Sequence, residues 1–575
     1  MPNLVHLVLL NELTLPWVLW SVVRKRRLCL IEAPAVVPRL APLLARVHRW
    51  LVRRKLAQRV DQLDPGLAKF QDIKIPRHVH DTFAVVEPWM EREFLFESAR
   101  RLGDDAVAYR LIACNHILEY FNALFYMDQL ASADKILVGG DRILSGLYRA
   151  LHGRPTGMVE MRPWIPAQLL NVLTLAGLSI AAFIAALASI RPRVAAKEIF
   201  LGTDFSGDRR DPILWRETAE SGKTVMVVFR NPVQAARHGA TLAHPWINAG
   251  DGNFSATQGL AAAFGCIRRG FVLGLFAVGL PNALFFRLAS LPYKRMLAQR
   301  MLAVHRFRYF WCRDDYNVEH ILRNQELRKQ GGRSLGVAHG LPIASIILPM
   351  WRYIDCDVYY VLGRHILRYY GDKWSSKMIV RAGGSLGLER RHLPLLDAPR
   401  PPDIIFSAKP GRTADQLVKI AALICDTFLN RIIYLHLKPG FDKTLAGKDF
   451  IARVTARRSN VRLTGLPIYE LFLKARYLIA DPSTVGAEAI QFGLASFILD
   501  IDDRKTLIFR DFPDLCVRSG HEAVDRIRAI EAGTWTYPRE KFEPLVALHR
   551  RTVQDMVRED LGLPPYPTST SEAAA

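Results

Sequence analysis

A regular alternation of short apolar runs and helical stretches fills residues 403–500. The apolar runs predict strands at Ile404–Ser407, Ile432–Leu437, Val461–Leu463, Tyr477–Ala480 and Ser496–Leu499. Five strands alternating with four helices predict a parallel, doubly wound α/β sheet. Ligands of such sheets bind beyond the carboxyl ends of the strands, so the residues that follow each strand are the first candidates for a site.

The segment Asp481–Glu488 follows the fourth of these strands. Ser483 and Thr484 are placed to cap the next helix, where free backbone N–H groups and the helix dipole favour an anion. Glu488 lies four residues after Thr484 on the same helix face, and a carboxylate there can accept hydrogen bonds from ribose hydroxyls. An ordinary capped helix, with Glu488 countering the dipole, explains the same pattern.

His436 and Lys438 alternate with apolar residues at the end of the second strand, so they are expected to share one face of it. The charge of Lys438 suits a phosphate, although a buried His and a solvent-facing Lys are the plainer interpretation. A further predicted strand, Ser334–Ala338, ends at His339-Gly340, which is a position suited to catalysis or phosphate binding. A single His at such a position is also often structural.

In the N-terminal part, strands are predicted at Leu4–Leu10, Leu28–Glu32 and Lys135–Val138. Gly139-Gly140-Asp141 follows the last of them. A Gly pair between a strand and a helix can bring backbone N–H groups close to a phosphate, and a tight turn is the alternative.

No charged residue occurs from Pro163 to Ile190, a run long enough to cross a bilayer as a helix. A second apolar stretch, at 270–291, contains Pro281, and a buried core helix is the alternative for each. The intervening residues 191–269 hold eleven Lys and Arg and predicted strands, so their export is disfavoured. We therefore expect a hydrophobic hairpin that lies on or dips into the inner leaflet, with anionic lipid as its partner.

The formal net charge of +23 requires acidic partners. Nucleic acid is disfavoured because no recognition signature occurs and the basic residues are spread along the chain. The seven cysteines are isolated and odd in number, which indicates free thiols in a reducing compartment. Residues 1–30 are typical of a strand, a helix and a strand, and not of a signal peptide.

Three of these segments occur in a definite order, and with them the sequence resembles bacterial surface-polysaccharide glycosyltransferases, the broad class that includes capsule enzymes and the CDP-glycerol glycerophosphotransferases. That class has a His-Gly block, a His-Pro block, and a Ser-Ser or Ser-Thr block followed by Glu and a Gly-x-Pro turn. The matching segments here, clearest within residues 330–505, are Ala338-His339-Gly340, Leu435–Gly440, and Asp481–Glu488 with Gly493-Leu494-Ala495. Lys438-Pro439 replaces the His-Pro pair, and Ala495 replaces the turn Pro.

The resemblance implies a GT-B architecture, in which two Rossmann-like domains face each other across a cleft. It implies that Ser483 and Thr484 bind donor phosphate, together with His436 or Lys438, and that Glu488 binds the ribose. His339 would be a general base or a phosphate-stabilising group. Gly139, Gly140, Asp141 and Gly340 are candidate phosphate or acceptor contacts. No cofactor or metal is expected, because helix dipoles and basic side chains stabilise the leaving diphosphate in such enzymes.

The expected organisation follows the chain. Residues 1–160 form the first part of an N-terminal acceptor domain, and residues 161–295 add the hydrophobic helices 163–190 and 270–291 and more strands of that domain. Residues 296–400 are an inter-domain region that contains the His-Gly block and a long basic helix at 297–330. Residues 401–505 are the donor domain, 506–563 are C-terminal helices and 564–575 a disordered tail.

The sequence therefore predicts a membrane-associated glycosyltransferase at the cytoplasmic face of the inner membrane. It would use a nucleotide-activated donor and a lipid-linked or surface glycan acceptor. Transfer of a polyol phosphate, as in the glycerophosphotransferases, is one alternative, and a non-catalytic scaffold with a degenerate nucleotide fold is another. The sequence indicates neither the donor base nor the oligomeric state.

Overall fold

The computed structural model describes most of the chain. The described residues are 5–12, 14–32, 40–59, 76–130, 136–140, 142–153, 158–160, 167–192, 196–207, 211–313, 317–338, 340–341, 349–374, 376–409, 413–438, 440–501 and 508–565. Within them, the strands form three sheets in which every named strand pair is parallel.

The first sheet has four strands in the order β2-β1-β3-β4. They are β1 Val5–Leu10, β2 Arg27–Glu32, β3 Ile136–Gly140 and β4 Met158–Glu160. Its helices are α1 Leu15–Val23, α2 Ala41–Arg53, α3 Pro76–Glu93, α4 Phe96–Ala99, α5 Asp105–Leu130 and α6 Arg142–His152.

The second sheet has seven strands in the order β11-β10-β9-β8-β5-β6-β7. They are β5 Lys197–Asp204, β6 Val225–Phe229, β7 Trp246–Asn248, β8 His305–Cys312, β9 Arg333–Val337, β10 Val358–Val361 and β11 Ile379–Ala382. The helices of this part are α7 Ala167–Ala188, α8 Asp211–Glu220, α9 Pro232–His238, α10 Ala256–Ala277, α11 Asn282–Ala289, α12 Leu291–Val304, α13 Val318–Lys329, α14 Pro349–Arg352 and α15 Leu367–Tyr370.

The third sheet has six strands in the order β14-β13-β12-β15-β16-β17. They are β12 Ile404–Ala408, β13 Ile433–Leu437, β14 Val461–Leu463, β15 Tyr477–Ala480, β16 Ala495–Leu499 and β17 Cys516–Val517. The helices of this part are α16 Ala414–Thr427, α17 Leu445–Thr455, α18 Ile468–Phe472, α19 Thr484–Gln491 and α20 Gly520–Glu531. The last helix, α21 Val553–Asp560, packs on the second sheet.

The α/β class with parallel sheets is confirmed, and the described residues form three such sheets, whereas two were expected. Strands of residues 1–160 pair only with one another among the described residues, so this part is a sheet of its own. The region 296–400, which was expected to lie between the domains, contains strands of the second sheet. That region supplies β8, β9, β10 and β11, which are four of the seven strands of the second sheet.

The long helix expected at 297–330 is interrupted by β8, and this expectation is wrong for a clear reason. His305–Cys312 places Phe307, Tyr309 and Trp311 at alternate positions, and β-branched and aromatic residues favour strands. The basic residues between them masked this period of two. The residues on both sides remain helical, in α12 and α13.

The second hydrophobic helix begins earlier than expected. The structure gives α10 at Ala256–Ala277, whereas the expected range 270–291 is divided by Pro281. The segment after Pro281 is α11, whose residues are mostly buried. The first hydrophobic helix, α7, matches the expected range closely, although residues 161–166 lie outside the described part of the chain.

The chain returns to the second sheet at its C-terminus. Val553 and Val557 of α21 share a core with Leu201 and Leu335, which are residues of β5 and β9. The carboxylate of Asp560 accepts a hydrogen bond from Tyr360 Oη at 2.5 Å and pairs with Arg381 at 2.7 Å. This return ties the second and third sheets together. The expected disordered tail, 564–575, lies outside the described residues from 566 onward.

His116 lies fully buried in α5, and in the described part of the chain neither ring nitrogen has a hydrogen-bond partner. Burial, assisted by the charge of Arg287, lowers the pKa of His116 to about 3. Because the unfolded chain binds a proton that the folded one does not, stability falls as the pH drops from neutrality.

We expect His116→Leu to raise the free energy of unfolding at pH 7 by about 1 kcal/mol, since an unsatisfied polar group leaves the core. The parent protein loses free energy of unfolding between pH 7 and pH 5, and the variant should lose about 2 kcal/mol less of it. Urea unfolding at both pH values measures this. The prediction would be contradicted if the free energy of unfolding fell by the same amount between pH 7 and pH 5 in the variant and in the parent protein.

Candidate functional site

Each of the three sheets has one topological switch point, where the strand order reverses. These points lie between β1 and β3, between β5 and β8, and between β12 and β15. In open parallel sheets the ligand crevice opens at such a point, beyond the carboxyl ends of the two strands. The topology alone therefore selects three places for a site.

The third switch point contains the predicted anion site. The backbone N–H of Asp481, after β15, donates to the carbonyl of Ser407 on β12 at 2.9 Å, so the two strand ends are tied together. Ser483 is the N-cap of α19, and its hydroxyl accepts from the N–H of Val485 at 3.4 Å. The sequence thus places the start of a capped helix at the crevice, where its backbone N–H groups suit an anion.

Residues after β9 of the second sheet meet this helix. The N–H of Leu341 donates to Thr484 Oγ1 at 3.0 Å, although the two residues are 143 positions apart. Gly340 has a φ of +156°, and a Cβ at this position would lie 2.6 Å from the same hydroxyl. The close approach therefore requires glycine, and it brings the His-Gly block and the Ser-Thr block together. His339 itself lies outside the described residues.

His436 and Lys438 lie at the end of β13, next to β12. His436 is half-buried, and its Nδ1 is 3.3 Å from the hydroxyl of Ser407. Burial lowers the pKa of His436, so its imidazole is neutral at pH 7. Lys438 is exposed, and the phosphate role of either residue stays a prediction.

Glu488 does not face open solvent. The side chain is 5% exposed, and its Oε1 accepts hydrogen bonds from Ser385 Oγ at 2.6 Å and from Tyr469 Oη at 3.1 Å. Gln491, one turn later, accepts from the N–H of Ser385 at 2.6 Å. These contacts hold the segment after β11 against α19. The hydrogen bonds of Glu488 are therefore structural, and the binding of a ribose by Glu488 stays a prediction.

The second switch point contains a buried ionic cluster that the sequence did not reveal. Asp204, at the end of β5, is 0% exposed and pairs with Arg323 at 2.7 Å and His320 at 3.1 Å. Burial would raise the pKa of Asp204, but the neighbouring positive charge of Arg323 outweighs it and holds the pKa well below its usual range. Burial also lowers the pKa of His320, so Arg323 carries the compensating charge at pH 7.

A second carboxylate extends this cluster. Asp211, at the start of α8, pairs with Arg313 Nε at 3.0 Å and accepts from Ser206 Oγ at 2.5 Å. Arg230, after β6, approaches Asp204 at 3.8 Å. The signal in the sequence was Thr203-Asp204-Phe205-Ser206 directly after the strand predicted at Glu198–Gly202, which is the position that ligand-binding residues take in such sheets.

The first switch point contains Gly139 and Gly140, at the end of β3 beside β1. The N–H of Asn11, which follows β1, donates to Thr14 Oγ1 at 2.9 Å, and the N–H of Thr14 donates to Asn11 Oδ1 at 3.0 Å. This local turn opens α1. Asp141 lies outside the described residues, and the phosphate or acceptor role of the glycine pair stays a prediction.

Comparison with known proteins gives a limited result. No family model matches the sequence. No curated protein matches it either.

Among solved structures, the chain is similar to the wall teichoic acid polymerase TagF at 11% identity and a TM-score of 0.39, over 69% of this chain and 98% of that one. It is similar to MurG of Acinetobacter baumannii at 11% identity and a TM-score of 0.37, over 64% and 99%. It is also similar to a UDP-N-acetylglucosamine 2-epimerase of Listeria monocytogenes, at 10% identity and a TM-score of 0.36, over 60% of this chain and 90% of that one. Likeness of this extent assigns no family and no activity to the chain.

Proposed function

We propose that this chain is a transferase that moves a sugar from a nucleotide-activated donor to an acceptor. The reaction would take place between the second and third sheets. The observation that carries the proposal is the contact of Leu341 with Thr484, because it joins the His-Gly block to the capped start of α19 at a switch point. A transferase needs such a meeting of donor phosphate site and catalytic side chain.

The chemistry of the site follows from its parts. The start of α19 offers backbone N–H groups with the hydroxyls of Ser483 and Thr484 to the donor diphosphate, whose negative charge grows as the bond to the sugar breaks. Lys438 supplies a compensating cation. His339 is proposed as the general base that takes the proton of the acceptor hydroxyl.

Helices α7 and α10 form a hydrophobic hairpin. This hairpin is the observation that favours a membrane-bound acceptor. A Cβ at Gly270 would lie 2.4 Å from Ser179 Oγ, and one at Gly274 would lie 2.9 Å from Leu175, so the two helices pack antiparallel. Both are long and apolar enough to cross a membrane, with mean hydropathies of 2.1 and 1.6. The hairpin leaves large apolar side chains exposed: Leu169, Val172, Leu173, Ile180, Ile184, Leu260, Phe264, Ile267, Phe271 and Leu275.

The contacts of α10 favour a position on the membrane surface. Arg269, in the middle of α10, pairs with Asp105 of α5 at 2.7 Å, and Cys266 on the same face is buried. One side of the hairpin is thus covered by protein along its length, so only the other side is free to enter lipid. We propose that it lies in the inner leaflet at the cytoplasmic face, as interfacial helices do, and that the acceptor is a lipid-linked or surface glycan.

A donor screen tests the proposal. Detergent-solubilised protein is incubated with CMP-, CDP-, UDP- and GDP-linked substrates, and release of the nucleotide is measured. Turnover of one sugar nucleotide above the level of boiled protein is expected. Turnover of a CDP-polyol alone would replace sugar transfer with polyol-phosphate transfer, and no turnover of any donor would favour the scaffold. The buried, internally bonded Glu488 is the observation on the side of the scaffold.

A further inference from the structure

Helices α1 and α2 cover one face of the first sheet. Val18 of α1 and Leu51 of α2 are buried in one core with Val8 and Leu30 of the strands. The opposite face of the sheet packs against a different core, which includes residues of α5 and α6. The outer sides of α1 and α2 are therefore free of the rest of the described chain.

The two helices end in the same way. The N–H of Arg24 donates to the carbonyl of Trp20, and the N–H of Lys25 to that of Val22. The N–H groups of Arg54 and Lys55 repeat this pattern with Trp50 and Val52, again at about 3 Å. Each helix thus ends with an exposed Trp one turn before a basic pair.

Lysine occupies a strained position in both turns. Lys25 has a φ of 52° and Lys55 a φ of 57°, the left-handed conformation in which helices usually end with glycine. Both side chains are exposed, so packing does not explain the choice of lysine. Each turn therefore presents a lysine ammonium group to solvent.

The composition around these turns is strongly biased. Residues 15–59 contain eleven Lys and Arg and a single acidic residue, Glu32. Large apolar side chains are exposed among the cations, and Arg26 stacks on Trp20 at 4.3 Å from the ring centre. These exposed apolar residues are Leu19, Trp20, Val23, Leu40, Leu43, Trp50 and Leu56.

We propose that this basic surface, made of the outer sides of α1 and α2 and their two C-terminal turns, docks on the anionic head groups of a lipid bilayer. Cations attract the negatively charged leaflet, Trp side chains prefer the interface, and the aliphatic side chains enter the acyl boundary. Nucleic acid would use the cations, but it offers no apolar layer for Leu19, Val23 and Leu43. The inference concerns a different part of the chain from the donor site and does not depend on its chemistry.

Glycine substitution of the two lysines tests the proposal without a folding artefact. Lys25→Gly and Lys55→Gly each remove one charge and relieve the left-handed strain, so stability should be kept or raised. Arg457→Gly is the matched control, because Arg457 is an exposed cation with a φ of 60° in the part of the chain that forms the third sheet. The full-length proteins are compared in co-sedimentation with vesicles of phosphatidylcholine alone and of phosphatidylcholine mixed with phosphatidylglycerol.

The readout is the gain in affinity that phosphatidylglycerol brings, since the hydrophobic hairpin can bind both vesicle types. The gain should be about fivefold smaller in each lysine variant and about 25-fold smaller in the double variant. It should be unchanged in Arg457→Gly. Equal gains in the double variant and in the control would overturn the proposal. Binding to a duplex oligonucleotide that falls in the same variants, without any phosphatidylglycerol effect, would overturn it in favour of nucleic acid. Donor turnover in detergent should be the same in all variants, which separates this test from that of the transferase.

Discussion

Asp204→Asn should lower the free energy of unfolding by about 3–5 kcal/mol, because it leaves a buried guanidinium without its counter-charge. Arg323 is 6% exposed, lies over the ring of Phe310 at 3.7 Å and donates to Asp204 at 2.7 Å. The amide that replaces the carboxylate keeps its shape, so the loss reports charge and not packing.

Glu198→Gln is the matched control for this prediction. Glu198 lies on the same strand, β5, and pairs with Arg306 at 3.1 Å, but both side chains are more than half exposed. Such surface pairs contribute about 0–1 kcal/mol. Urea unfolding of both variants at pH 7 measures the difference, and losses of equal size would show that the buried cluster has no special weight.

The same cluster sets a pH dependence. Because the folded-state pKa of Asp204 lies below its unfolded value, its contribution to stability is complete above the unfolded pKa of about 4 and is lost as the pH falls below it. Asp204→Asn should therefore be less sensitive to acid than the parent protein between pH 4 and pH 3.

Thr484→Val should reduce transfer about 100-fold, which is the usual effect of removing one donor from an anionic transition state. The substitution preserves volume but removes the hydroxyl at the start of α19, and it leaves the Leu341 N–H without its acceptor. The missing acceptor also destabilises the contact between the sheets, by about 1–3 kcal/mol.

Thr484→Ser keeps the hydroxyl and serves as the control. It should retain most of the kcat/KM, whereas Thr484→Val should lose it, measured with the donor that the screen identifies. Equal kcat/KM values for the two variants would show that the hydroxyl of Thr484 does not contribute to the site. Cooperative thermal unfolding of both variants would show that a loss of activity is not caused by a loss of structure.

Five of the six strands of the third sheet were predictable because their signals are local, whereas β17, Cys516–Val517, lies in residues 506–563, which were expected to be helical. Each of these five strands is a short apolar run, and the turn at Asp481–Thr484 carries the residues that cap a helix. The place of the candidate site followed from the same pattern, since it depends only on which residues come after each strand.

The rest depends on contacts between distant residues, which a linear pattern does not carry. Nothing in the sequence of β1 to β4 indicates that they form a separate sheet, because that is decided by which strands pair. The two nearest partners of Asp204, His320 and Arg323, come from α13, more than 100 positions away. The burial of Glu488 depends on Ser385, which lies on a segment between two sheets.

The most direct test of the donor site is a thermal-shift titration with CMP, CDP, UDP and GDP on the parent protein and on Thr484→Val. A real site should raise the unfolding temperature of the parent protein with at least one nucleoside diphosphate, since a ligand at 100 times its Kd contributes about 2.7 kcal/mol. The shift should be much smaller in Thr484→Val. A parent protein that unfolds cooperatively at the same temperature with every nucleotide would contradict the proposal of a nucleotide-activated donor.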